Sequence, residues 1–405
     1  MTTPRLYPPR GSERVMQRKQ VLEMAFEGKI SWVQAAEILK LSPRQVRRIR
    51  ERFKAGGELT LQDGRCGKPS PLRIGDEWRK KVTELYRNEY RDFSVRHFFE
   101  MLRSRHAIEV GTYCWVLRVL QAEGLVGRAE RRASHRSRRE RRPLPGMLIQ
   151  LDGSDHDWLG AELPRADLLI TIDDATNRIH SAEFSGGEGT LSCMRVIREM
   201  TEKEGICCAI YVDRASHFVV TPVAGKKPDR TRKTHLQIAL DRLGITLIAA
   251  YSPQAKGRVE RAFRTIQGRL PQELRIEGIR DYVSANRYLT EKFIPWWNEN
   301  LTVEPKEKNA TAFTHLHPGV SLDHIFSIQY PREVNFDNTV QFKTKILQIP
   351  KATHLRFSFA GTKVVVHEHT DGTLSITYAN HLLARYERTG KALSLPIPEP
   401  MKKTG

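Results

Sequence analysis

From Pro145 onward, short apolar runs alternate with helical periodicity, and two of those runs end on an acid. MLIQLDGS reads as a strand that closes around Asp152. ADLLITIDDATNRIHSAEF reads as a second strand, a turn at Asp174 and Asn177, and a third strand. Thr190 to Glu204 has helical spacing, and ICCAIYVDRA is a buried strand ending on Asp213. Thr234 to Leu243 predicts a helix, ITLIAA a strand, and GRVERAFRTIQGRLPQEL a helix starting near Gly257. The order β-β-β-α-β-α-β-α predicts a mixed sheet flanked by helices.

Active sites in such sheets gather where strands end. Asp152 ends the first strand, Asp213 ends the fourth, and Glu260 falls in the first turn of the late helix. If the first and fourth strands pair, Asp152 and Asp213 become neighbours, with Glu260 reaching across. Phosphodiester cleavage develops charge on both the attacking and the leaving oxygen, and two Mg²⁺ ions about 3.5–4 Å apart stabilise both. Mg²⁺ takes hard oxygen ligands, so carboxylates suit it better than His or Cys, with Mn²⁺ able to substitute. Acids at strand ends are often turn residues, so the three carboxylates do not single out a site by themselves. Asp173 and Asp174 are rivals for the second acid, and Asp155 and Asp157 lie close enough to Asp152 to replace or support it. His156 and His217 read as surface histidines.

The chain carries a formal net charge of +20 over 405 residues, an excess that calls for a polyanionic partner such as nucleic acid. That length allows two to four domains, because single cores rarely exceed about 250 residues. Residues 14–54 read as a compact helical unit. Val15, Leu22 and Phe26 mark a helix stopped by Gly28, Ser31 caps a second, and Pro43 opens a third, PRQVRRIRERF. This is the helix-turn-helix pattern: Val46, Ile49 and Phe53 face inward, leaving Arg44, Gln45, Arg47, Arg48 and Arg52 for phosphates and base edges.

Residues 55–75 are rich in Gly and Pro and read as a linker. Residues 76–127 form a second helical group, either another DNA-binding domain, perhaps winged, or an ordinary three-helix bundle. His97 there reads as a helix-surface or half-buried residue. The linker 128–145 is Arg-rich; its Arg131, Arg132, Arg138 and Arg139 suit a tether lying along DNA. The α/β core occupies 146–300. Its last part, 276–298, reads as one aromatic-rich helix whose side chains belong in the core. A linker at 301–320 precedes a β-rich segment, 321–392, with Asp371-Gly372 as a hairpin turn. A small β-barrel is expected there.

LDGS around Asp152, YVDRAS around Asp213 and YSPQAKGRVERAFRTIQGRL around Glu260 resemble the DDE transposases and integrases of the retroviral-integrase superfamily. The likeness is nearest to bacterial insertion-sequence transposases of the ISNCY type and runs from about residue 14 to 390, most specifically over Tyr251 to Glu260. It implies N-terminal helix-turn-helix domains, a ribonuclease-H-like catalytic core and a small C-terminal β domain. It also implies Asp152, Asp213 and Glu260 as metal ligands. Glu260 lies 47 positions after Asp213, further than in the retroviral pattern, with the basic stretch between Ala215 and Lys233 as the insert. In the same segment Ser252-Pro253 forces a turn and Gly257 a bend into the helix. Lys256, Arg258, Arg261 and Arg264 then project toward phosphate.

The expected function is transposition: binding double-stranded DNA at the element's ends, metal-dependent strand cleavage, and transfer of the exposed 3′-hydroxyl to target DNA. Joining two ends implies a homodimer or higher assembly. The alternatives are a helix-turn-helix regulator whose ribonuclease-H-like core does no catalysis, and a ribonuclease H. The amino terminus has no apolar signal core and no run spans a bilayer, while five scattered cysteines, with Cys207 and Cys208 in an apolar run, suit buried thiols in a reducing cytoplasm.

Overall fold

The computed structural model describes residues 9–61, 73–128, 140–160, 163–220, 232–250, 257–350, 358–379 and 381–393. Arg131, Arg132, Arg138, Arg139 and Lys256 therefore lie outside the described residues, as do Ser252-Pro253 and most of the basic insert. The chain divides into two compact units, residues 1–85 with 109–119, and residues 86–108 with 120–405.

The first unit opens with α1 (Pro9–Phe26), α2 (Trp32–Leu39) and α3 (Pro43–Gly56). Each of the last two helices is started by a reciprocal cap. The Ser31 hydroxyl accepts from the Gln34 N–H while the Gln34 amide oxygen accepts from the Ser31 N–H, and Ser42 and Gln45 repeat the arrangement. Lys40, left-handed at φ 52°, ends α2 and leaves a short turn before Ser42. Val21, Ala25 and Ala35 pack with Ile30, Trp32 and Leu39, and Val46 is buried on α3. The expected three-helix reading of residues 14–54 holds, with α1 beginning earlier. Gln45 is exposed as expected, but its amide oxygen already caps α3.

The second unit is built on a sheet of five described strands: β1 (Ile149–His156), β2 (Ala166–Asp173), β3 (Ile179–Ser185), β4 (Ala209–Val212) and β5 (Thr246–Ala249). Their order is β3-β2-β1-β4-β5. The first three strands form an antiparallel meander, and β4 and β5 join β1 in parallel. This mixed sheet flanked by helices is the ribonuclease-H-like core. Alternation along the strands sends successive residues to opposite faces. Ile149 and Leu151 meet α7 (Thr190–Glu204) and α8 (His235–Arg242) through Met194, Ile197, Met200, Leu236 and Leu240. On the other face, Leu168, Ile170 and Ile172 meet Val259, Phe263, Ile266, Leu274, Phe293 and Trp297. Each such apolar side chain contributes about 1.5–3 kcal/mol when fully buried.

The late helical region is more broken than its periodicity suggests. α9 (Val259–Gln267) and α10 (Leu270–Ile276) are separate helices, with Pro271 in the first turn of α10. The single helix expected over 276–298 is instead α11 (Tyr282–Tyr288), a wider π turn at Leu289–Phe293, and α12 (Ile294–Asn300). Gly278, at φ 69°, separates α10 from α11. The aromatics do pack as core: Phe293 and Trp297 are buried.

The expected linker 301–320 is bound to the core: Thr314 bridges Ile206, and Ala312 N–H donates to the Pro145 carbonyl. After α13 (Leu322–Ile325) come β6 (Ser327–Glu333), β7 (Thr339–Phe342), β8 (Lys345–Gln348), β9 (Lys363–His369), β10 (Leu374–Tyr378), β11 (His381–Tyr386) and β12 (Ala392–Leu393). Among the described residues these make an antiparallel sheet ordered β12-β11-β10-β9-β6 and a β7-β8 hairpin. The expected barrel is not seen among them; the sheet is open at β6 and β12. Gly372, at φ 84°, turns the β9–β10 hairpin where Asp371-Gly372 predicted it.

Earlier in the chain, α4 (Asp76–Asn88), α5 (Val95–Ser104) and α6 (Tyr113–Ala122) are the helices of the second helical group. α5 belongs with the core, to which a buried charged cluster fastens it. Arg269 donates to Glu273 and Glu100, both at 2.6 Å, and its guanidinium lies 3.4 Å from the Trp296 ring centroid. His97, expected at the helix surface or half-buried, is fully buried, with Nε2 3.2 Å from Glu273. Removing one partner of a buried charged pair leaves the other unsatisfied, at a cost of about 3 kcal/mol or more. Glu273→Ala is expected to lower the urea unfolding midpoint by an amount corresponding to about 3 kcal/mol; an unchanged midpoint would exclude this cluster as a structural fastening.

Candidate active site

Parallel pairing fixes the positions of the first two acids. Ile149 is level with Ile210 and Gln150 with Tyr211. Two residues further along each chain the same register brings Asp152 level with Asp213, one position past the end of β4. Both are half-buried, and Asp213 Oδ1 accepts from the Ala215 N–H at 2.8 Å, which turns the chain away from the sheet.

Asp152 shares its sheet face with Gln150 and Ser154, and these two neighbours position α9. The Gln150 side-chain oxygen accepts from the Val259 N–H at 3.3 Å, and Gln267 at the other end of α9 donates to Ser154 Oγ at 2.9 Å. Glu260 lies seven residues before Gln267, two helical turns earlier on nearly the same side of the helix. It is exposed, in the first turn, while Val259, Ala262, Phe263 and Ile266 hold the buried side. α9 is thus tied to the strand that carries Asp152, with Glu260 exposed in its first turn.

The rival acids have other work. Asp173 accepts from the N–H groups of Gly146 and Ala175 at 2.7 Å and of Thr176 at 3.0 Å. Burial pushes its carboxyl up, but His180 and these donors outweigh that and hold it below 3.8. Asp174 is buried, accepting from Gln150 and the Arg142 N–H and pairing with Arg258. Both acids therefore hold the β2–β3 turn at the opposite end of β1. Asp155 and Asp157 are exposed and face Arg165 at 3.0 and 3.6 Å.

The expected phosphate-facing arginines separate into two groups. Arg261 and Arg264 are exposed on α9, with Arg261 Nε also donating to the Gly257 carbonyl. Arg258 differs from expectation: only 11% of its side chain is exposed, and its guanidinium is committed to Asp174. In the first unit Arg44, Arg47, Arg48 and Arg52 are all exposed on α3.

Three further residues beside the acids escaped sequence reasoning. Glu188, on the loop between β3 and α7, lies so close to β1 that a Cβ on Gly153 would stand 2.5 Å from Glu188 Oε2. His217, read from sequence as a surface histidine, is only 14% exposed and brings Nε2 within 3.3 Å of Glu188 Oε1. Cys193 is fully buried next to them. An acid just after one strand, a thiol one helical turn later and a histidine four residues past Asp213 are the signals, none specific without the fold. Cys208, expected buried with Cys207, is exposed.

A helix-turn-helix ahead of a ribonuclease-H-like core, with Asp152 midway along β1 rather than ending it as expected and Asp213 just past the end of β4, fits a class of DNA-acting proteins, and similarity to known proteins narrows it. Residues 17–70 match a family model described as a helix-turn-helix domain. The chain is 31% identical over 377 residues to "Putative transposase y4bF" of Sinorhizobium fredii (strain NBRC 101917 / NGR234), covering 92% of this chain and 80% of that protein. It is 27% identical over 316 residues to "Transposase for insertion sequence IS1202" of Streptococcus pneumoniae, covering 69% of this chain and 67% of the relative. The chain belongs to this transposase family. Among solved structures, the HTLV-2 integrase catalytic core domain in complex with magnesium (dimeric form) is 15% identical, with a TM-score of 0.30 over 40% of this chain and 93% of that one. No described helix is long and apolar enough to cross a membrane.

A carboxylate whose folded pKa is depressed stabilises the native state above its unfolded pKa and stops doing so as pH falls through the folded value. For Asp173 that loss begins near pH 3.8 and continues below it. Asp173→Asn is expected to lower stability at neutral pH and to flatten the acid limb of the stability–pH curve below about pH 4. Unfolding titrations at several pH values check this; parallel curves for the two proteins would refute it.

Proposed function

We propose that the chain is a metal-dependent DNA transposase in which Asp152, Asp213 and Glu260 form the catalytic carboxylate set. The observation that carries this reading is the shared register of Asp152 and Asp213, with Glu260 exposed in the first turn of a helix that Gln150 and Ser154 tie to β1. The donor set fits Mg²⁺: every atom offered is a hard carboxylate oxygen, and no imidazole or thiol belongs to it. Divalent ions bound there would supply charge stabilisation at the attacking and leaving oxygens of a phosphodiester.

The chain's own groups do the positioning. α3 presents Arg44, Arg47, Arg48 and Arg52 to the phosphates of the element's ends, with Gln45 keeping its amide N–H₂ for a base edge. Arg261 and Arg264 offer charge to DNA phosphates along α9, beside Glu260. The strand register, rather than a flexible loop, sets the backbone positions of the two half-buried carboxylates, Asp152 and Asp213. Water is the first nucleophile and exposes a 3′-hydroxyl; that hydroxyl, held at the same acids, is the second. Because two ends must be joined, the working form is a dimer or larger assembly on DNA.

Glu260→Gln is expected to bind terminal-repeat DNA with unchanged affinity while cleavage and joining fall on the order of a thousandfold, the scale of several kcal/mol of lost charge stabilisation. Unimpaired Mg²⁺-dependent nicking by that variant would remove Glu260 from the mechanism. Arg47→Ala with Arg48→Ala should weaken end binding and reduce the salt dependence of log K by about one unit for each phosphate no longer neutralised. An unchanged salt slope would show that α3 does not track the DNA backbone.

A further inference from the structure

We propose that Glu188, Cys193 and His217 form a second metal site, one that takes a zinc-class ion rather than magnesium. The three residues come from different segments: Glu188 from the loop after β3, Cys193 from the first turns of α7, and His217 from the loop after β4. One donor atom from each lies within 4.8 Å of the other two. The spacing between His217 Nε2 and Glu188 Oε1 is 3.3 Å. Two bonds of about 2.0–2.1 Å opened to the tetrahedral angle set their donor atoms about 3.3–3.4 Å apart, the geometry zinc prefers.

The chemistry of the donors separates this site from the carboxylate set. A sulfur and an imidazole beside one carboxylate select borderline-soft ions such as Zn²⁺ or Co²⁺ and are poor ligands for Mg²⁺. Three protein ligands leave a fourth position for water. A Cβ at Gly153 would stand 2.5 Å from Glu188 Oε2, so the glycine leaves the carboxylate its present position. Burial pushes the Cys193 thiol well up, with Glu188 and Asp213 adding to the effect, so the sulfur stays protonated until a cation arrives. Binding then releases that proton to solvent as the sulfur becomes the ligand. An ion held here would fasten His217, four residues past Asp213, to the start of α7 and to the flank of β1.

Cobalt titration of the full-length protein tests the site without any reliance on DNA chemistry. The expected result is a saturable thiolate-to-cobalt charge-transfer band that Zn²⁺ displaces and excess Mg²⁺ does not. Cys193→Ser should abolish the band, and Glu188→Gln or His217→Asn should weaken Co²⁺ binding by about tenfold or more. Glu260→Gln should leave the band intact, which keeps the outcome separate from the fate of the proposed catalytic set. Absence of the band in the unaltered protein, its survival in Cys193→Ser, or full affinity in His217→Asn would overturn the proposal. The two half-buried variants keep the test decisive should the buried serine prevent folding.

Discussion

A buried amide on the central strand, Gln150, holds the core's working geometry in place. Its oxygen takes the Val259 N–H, a donor at the start of α9 that has no partner within the helix, and its nitrogen donates to Asp174. Left unsatisfied, each of these buried groups would cost about 1–3 kcal/mol, so the helix start cannot slide along β1 cheaply. Because the strand alternates, the residue that fixes α9 and the acid two positions later share one face. Asp152 and the first turn of α9 are consequently positioned by the same contact. Gln267 and Ser154 repeat the tie at the far end of the helix.

The acidic residues beside β1 then differ in their surroundings. At its start, Asp173 and Asp174 are buried and accept from backbone N–H groups, with Arg258 paired to Asp174. Midway along it, Asp152 is half-buried and level with Asp213, just past the end of β4. A carboxylate surrounded by fixed donors has its charge already satisfied and makes a rigid joint. Sequence proximity hides this division, since Asp173 and Asp213 both close apolar strands and look alike as text.

Most of the fold was legible because its signals are local. Ser31 and Ser42 cap helices with the Gln three residues on, Asp371-Gly372 makes a hairpin, and the apolar strands sit where their composition places them. What was not legible depends on distant partners. Arg258 belongs to a segment full of exposed bases, and only the fold reveals that Asp174 draws it inward. His97 lies on an amphipathic helix among charged and apolar neighbours, and it is buried where Glu273 and Arg269 meet it from α10 and the residue before it. The helix expected over 276–298 is interrupted where the chain bends over β3, since Asn286 and Asn298 must reach the backbone of Phe184 and Ile179. For the site, the positions of Asp152, Asp213 and Glu260 along their elements could be read from sequence, whereas the grouping of Glu188, Cys193 and His217 could not. Those three residues belong to segments that meet only after the sheet has formed.

This arrangement explains why so basic a chain keeps acids at the heart of its core. The exposed arginines of α3, in one unit, and of α9, in the other, suit a polyanion, whereas carboxylates without a cation would repel it. Several other acids are paired with arginines, which limits that repulsion: Asp155 faces Arg165, Glu183 faces Arg195, and Asp174 faces Arg258. On the proposed reading, divalent cations at Asp152 and Asp213 would lessen the repulsion of these carboxylates toward phosphate. Metal binding and DNA binding should therefore reinforce one another at this end of the sheet, because each partner supplies the charge the other lacks.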